Sequence, residues 1–151
     1  MRPQSRGYLR LKTAEPDGPL EIQPNFLKEP ADVDALVAAV ELGLDLASQP
    51  AYRDLVSRWV APGTRLGRDE AVAFVRRACS TYHHPVGTCG MGPSPGDGAV
   101  VDAHGRVHGV EHLHVADASI MPAIPSANTN LPTIMIAERV ASWITAERHG
   151  P

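Results

Sequence analysis

Cysteine is nearly absent from this chain of 151 residues, and so are a surplus of either charge, long apolar runs and the glycine signatures of nucleotide grips. The two cysteines, Cys79 and Cys89, form no C-x-x-C pair, so neither a disulfide framework nor a zinc knuckle or dithiol redox motif is indicated. No stretch approaches the roughly 18 consecutive apolar residues of a membrane-spanning helix. The opening residues Met1 to Arg6 lack the apolar run of a secretory leader, so the expected setting is cytoplasmic, with no membrane span. Fourteen Lys+Arg stand against 17 Asp+Glu, a balance that does not favour nucleic acid as a partner. No G-x-G-x-x-G opens a helix, because Gly87, Gly90 and Gly92 run into Pro93-Ser94-Pro95. A G-K-[ST] phosphate loop and a G-x-S-x-G nucleophile elbow are missing too.

What is present describes an ordinary globular chain, 43% hydrophobic and 21% charged, with 14 prolines and 13 glycines that signal many loops. A chain of this length buries roughly 68–70% of its unfolded surface. Gly7 to Leu11 and Leu20 to Ile22 alternate around the turn residues Glu15-Pro16-Asp17-Gly18-Pro19, which predicts a hairpin. From Ala31 to Ser48 the apolar residues Val33, Leu36, Val37, Val40 and Leu44 recur at helical spacing. Shorter helical patterns cover Tyr52 to Val60 and Arg68 to Cys79, split by Ala61-Pro62-Gly63-Thr64. Pro85 to Pro132 reads as loops with short strands at Ala99 to Val101 and Leu113 to Ala116, and a turn at Asp102 to Gly105. A last helix begins near Asn130, with Pro132 suited to its first position, carries the stripe Ile136, Ala137, Val140, Ala141 and Ile144, and ends before Gly150. The expected class is α+β.

Two irregular, polar-rich stretches invite chemistry: Tyr82 to Cys89 and Asp117 to Thr133. Imidazole titrates close to neutrality, and a histidine beside a proline, as at His84, can be held rigidly for proton transfer. The alternative is an ordinary surface histidine. Asn128 and Asn130 precede the last helix and either cap its free N–H groups or place a polar side chain where the helix end stabilises developing negative charge. His104, His108, His112 and His114 allow a metal-binding β module, with His112 and His114 on one strand face, but no acidic or thiol ligand completes a set.

Read together, the two stretches resemble the C-terminal signature of the glucose-methanol-choline (GMC) family of FAD-dependent oxidoreductases. The resemblance rests on Arg2-Pro3-Gln4-Ser5-Arg6-Gly7, on His84-Pro85-Val86-Gly87-Thr88-Cys89-Gly90-Met91-Gly92, and on Val100-Val101-Asp102 with Arg106-Val107-His108-Gly109-Val110. It continues through Val115-Ala116-Asp117-Ala118-Ser119 and Asn128-Thr129-Asn130-Leu131-Pro132-Thr133-Ile134-Met135-Ile136-Ala137-Glu138. It is choline dehydrogenase-like in having asparagine at position 128, and it departs from the family at His114, where arginine is common.

The resemblance implies that residues 1–88 are the end of an antiparallel-sheet substrate domain with helices. Residues 89–151 would complete an FAD-binding α/β domain whose dinucleotide-binding half is absent here, being either a separately encoded partner chain or missing from a truncated product. His84 would be the base that takes the alcohol proton while a hydride passes to FAD, giving an aldehyde or ketone. Asn128 would hold the substrate oxygen, since an amide cannot act as a base. Asp117, Ala118, Asn130, Pro132 and Thr133 would line the cofactor, the helix dipole favouring negative charge on the flavin. Without its missing half, the last helix should expose apolar surface. A non-catalytic remnant or interaction module is the alternative from a different class, and the histidine-rich metal module is a third.

Overall fold

The computed structural model describes residues 2–148. They form an α+β chain with two compact units, Pro3 to Ser80 and the residues from Thr81 onward. In the first unit, strands β1 (Tyr8–Leu11) and β2 (Leu20–Gln23) pair antiparallel with Tyr8 opposite Gln23 and Leu11 opposite Leu20. The hairpin is where alternation placed it, and it leaves Leu11 and Ile22 exposed.

Helix α1 (Pro30–Ala47) opens with proline at its first position, where the missing N–H costs nothing, and packs on α2 (Arg68–Ala78). The 3.6-residue spacing puts Val33 and Val37 on the inner face, where they meet Leu27, Ala71 and Val75 in a buried core. Val37 is fully buried, a contribution of about 1.5–3 kcal/mol for such a side chain. The carboxylate of Glu70 accepts the Gly67 N–H at 2.9 Å and closes the start of α2.

Asp32, in the first turn of α1, is buried although charged. Its two carboxylate oxygens accept the N–H groups of Gln4 and Ser5, each at 2.8 Å. Burial alone would raise its carboxyl pKa. The Ser5 hydroxyl, these two N–H groups and the Arg6 charge outweigh that and hold it below the usual carboxylate range.

One expected helix is absent. Tyr52 to Val60 forms only a single 3-10 turn at Pro50–Tyr52 followed by irregular chain. Nine residues between two prolines, with valine and tryptophan at Val56, Trp59 and Val60, offer too little propensity and too few turns to offset nucleation. Val56, Trp59 and Val60 instead line, with Val40, Leu44 and Phe74, an apolar cavity of about 320 Å³.

The second unit has one long helix, α3 (Asn130–Arg148), and otherwise turns. The strands expected at Ala99 to Val101 and Leu113 to Ala116 shrink to isolated bridges, Met91 with Val101, Val101 with Val107, and Arg106 with His114. The turn at Asp102 to Gly105 is as expected, and it explains the shortness: the Asp102 carboxylate gathers the N–H groups of His104 and Arg106 at 2.8 and 2.9 Å. Those donors are lost to any ladder. Gly105 sits at φ +79°, and a Cβ there would lie 2.6 Å from the Val115 carbonyl, so only glycine fits.

Val140 of the expected α3 stripe is fully buried, while Ala141 is exposed. Pro132 occupies the third helical position rather than the first, because the helix already begins at Asn130. Gly150, the expected stop, lies outside the described residues. Leu131, Ile134 and Met135 are exposed on α3.

Candidate active site

The second unit brings the two polar stretches together. Gly87, Cys89 and Met91 donate their N–H groups to the carbonyls of Ala118, Ser119 and Ile120 at 3.4, 2.9 and 2.9 Å. Segments some 30 residues apart in the chain thus run alongside each other. Gly87 permits the approach, since its φ is +86° and a Cβ there would stand 3.2 Å from the Met121 carbonyl. Asp117 fixes the other side: its carboxylate accepts the Ser119 N–H at 2.8 Å and the Ser119 hydroxyl at 2.5 Å, capping the 3-10 turn Ala118–Ile120.

This arrangement sets His84 beside the start of α3. His84 is half-buried, its Nδ1 lies 2.8 Å from the Thr129 hydroxyl oxygen, and the Tyr82 ring meets it edge-on with centroids 5.6 Å apart. Nε2 of His84 has no hydrogen-bond partner among the described residues. Thr129 is 6% exposed and is the residue just before α3. Its carbonyl accepts both the Thr133 N–H at 2.9 Å and the Thr133 hydroxyl at 2.7 Å.

Asn128 and Asn130 flank Thr129, and both are exposed. Neither side chain makes a hydrogen bond among the described residues, so the capping role open to them is not what they do. Thr129 takes the position before the helix, and Asn130 is already its first residue. Thr129 is the residue missed in the sequence; a threonine three places before a proline at a helix start was the available signal.

Of the residues expected to line a cofactor, Asn130, Pro132 and Thr133 share the first turn of α3 with a 74% exposed Leu131. Asp117 and Ala118 stand at the turn that receives the His84 segment. Free amide side chains at a helix N-terminus next to uncovered apolar surface suit a planar ring with a polar, electron-rich edge. The donor set therefore fits a flavin. The Thr133 hydroxyl is already engaged by the Thr129 carbonyl, which leaves its backbone as what it offers.

The histidines after Gly92 do not make a metal site. His112 adopts a left-handed turn conformation at φ 61°, so it cannot share a strand face with His114. His104 packs edge-on against Trp143 with centroids 4.6 Å apart, and the ring Nε2 of His108 lies 3.1 Å from the Gly92 carbonyl. Among the described residues no cluster of three His, Cys, Asp or Glu side chains could hold a metal ion. Nor is any described helix long and apolar enough to cross a membrane.

Known proteins resemble the chain in sequence and in fold. The family profile described as GMC oxidoreductase matches residues 3–137. The chain is 43% identical to an alcohol dehydrogenase [acceptor] of Pseudomonas putida over 94% of its own length, and 41% identical to an oxygen-dependent choline dehydrogenase of Chromohalobacter salexigens over 95%. It spans 26% of each of those relatives. Among solved structures it resembles an FAD-dependent oxidoreductase from Chaetomium thermophilum with a TM-score of 0.87 and 28% identity, covering 98% of this chain and 26% of that one.

Proposed function

The chain belongs to the GMC oxidoreductase family, an enzyme family, and on that premise we propose that it is the C-terminal part of an FAD-dependent oxidoreductase that converts an alcohol to an aldehyde or ketone. The observation that carries the reading is His84 fixed through Thr129 at the helix start that presents Asn128 and Asn130. FAD, when bound, supplies the acceptor for the hydride that leaves the alcohol carbon.

The chain's own residues do the rest. His84 accepts the hydroxyl proton at Nε2, the ring nitrogen without a hydrogen-bond partner among the described residues. The Asn128 amide, exposed and next in the chain to Thr129, donates to the substrate oxygen and positions it without competing for the proton. The N-terminal end of α3, with Asn130, Pro132 and Thr133, would hold the flavin and offer partial positive charge to it, and Asp117 with Ala118 would line the same cofactor. The Tyr82 ring packs edge-on against the His84 imidazole.

The remaining three quarters of such an enzyme, with the dinucleotide-binding part, come from outside these residues and cover Leu131, Ile134 and Met135. The test is anaerobic: the enzyme containing this chain, loaded with FAD, is mixed with an alcohol and its visible absorption followed. Bleaching with one carbonyl product formed per flavin is the expected result. A flavin that stays oxidised with aliphatic, polyol, choline-like and aromatic alcohols overturns the reading and leaves a chain that keeps the fold without the chemistry.

A further inference from the structure

A neutral imidazole carries one N–H, and the hydrogen bond at Nδ1 decides which nitrogen has it. We infer that Thr129 is a positioning residue that accepts the Nδ1–H of His84, so that Nε2 stays bare and faces the reacting proton; this rests on the base role proposed above. Two arrangements fit a 2.8 Å contact. If the Thr129 hydroxyl donated, Nε2 would hold the proton and His84 would have nothing with which to accept another. If Nδ1–H donates, Nε2 is free, and the same bond survives unchanged when His84 becomes doubly protonated. Only the second needs no reorientation during proton transfer.

The start of α3 keeps the Thr129 oxygen available for this. A threonine just before a helix ordinarily accepts from the N–H of the second or third helical residue. Here the third is Pro132, which has no N–H, and the Leu131 N–H makes no bond to the Thr129 hydroxyl among the described residues. Thr129 is nine-tenths buried, so water does not fill its lone pairs; the imidazole does. His108 provides an internal contrast, since a carbonyl can only accept and the Gly92 carbonyl therefore fixes its proton on Nε2.

The test is a long-range proton–nitrogen spectrum of the nitrogen-labelled full chain at about pH 8, above the range in which imidazoles ordinarily titrate. His84 should show the Nδ1–H pattern and His108 the Nε2–H pattern. Thr129→Ser, which keeps the hydroxyl, should preserve the His84 pattern. Thr129→Val, which keeps the shape alone, should lose it while His108 is unchanged, the second histidine reporting that the unit is folded. An Nε2–H pattern at His84 in the unaltered chain, or no change in Thr129→Val, overturns the inference. None of these readouts involves turnover, so a failure of the alcohol reading is recognised separately.

Discussion

Residues before Ser80 and those after it obey different rules. The first unit is built as its periodicity dictates, two helices closing on Leu27, Val33, Val37, Ala71 and Val75, and none of its residues is placed in the reaction. The second owes little to regular structure: apart from α3, it is held by backbone N–H groups donated to carbonyls and to the carboxylates of Asp102 and Asp117, with Val101, Ile120, Met121 and Val140 as its buried apolar residues. All the candidate chemistry lies there. Helices and strands satisfy their own backbone and leave side chains for packing, whereas irregular chain can bring side chains from distant segments together, as His84 and Thr129 are brought. The lesson is that order in the site comes from turns fixed by Gly87, Asp102, Gly105 and Asp117.

The sharpest way to break this contrast is to cut each apolar centre. Val37→Ala should cost about 2 kcal/mol, two lost methyl groups plus a cavity, and the loss should appear as faster native-state hydrogen exchange in α1 and α2. Val140→Ala should cost a similar amount and speed exchange in α3. If either variant loosens both units equally, they are one cooperative body and the contrast fails.

A smaller effect is read by pH. The carboxyl of Asp32 is held below its ordinary range in the folded chain, so the stability it supplies is present above about pH 4 and is lost as pH falls through the carboxylate range. Asp32→Asn should cost about 1–3 kcal/mol at neutral pH, and the stabilities of the variant and the parent should converge as pH falls below the carboxylate range. Asp102 has the same sense, since burial raises its pKa and the N–H groups of Arg106 and His104, with the Arg106 charge, lower it more. A variant whose deficit persists unchanged at low pH would show that Asp32 acts by packing alone.

How much of this could be read from the chain follows the same divide. The hairpin, α1, α2 and α3 were legible because alternation or 3.6-residue spacing runs for several turns. Tyr52 to Val60 misled because an apolar spacing over nine residues does not distinguish a helix from side chains lining a cavity. In the second unit, His84, Asn128 and the start of α3 were legible as motifs. The register of Gly87 to Met91 along Ala118 to Ile120 was not, because it depends on long-range pairing that no local pattern encodes. The left-handed turns at His83 and His112 had no glycine to announce them, and Thr129 was hidden between two more conspicuous asparagines.

The central claim is that His84 takes the alcohol proton, and the reductive half-reaction tests it most directly. In the FAD-loaded enzyme, His84→Ala should slow anaerobic bleaching of the flavin by alcohol by about 10²–10⁴-fold while the bound flavin and the melting temperature stay as they were. Bleaching at an unchanged rate, with flavin still bound, would contradict the account.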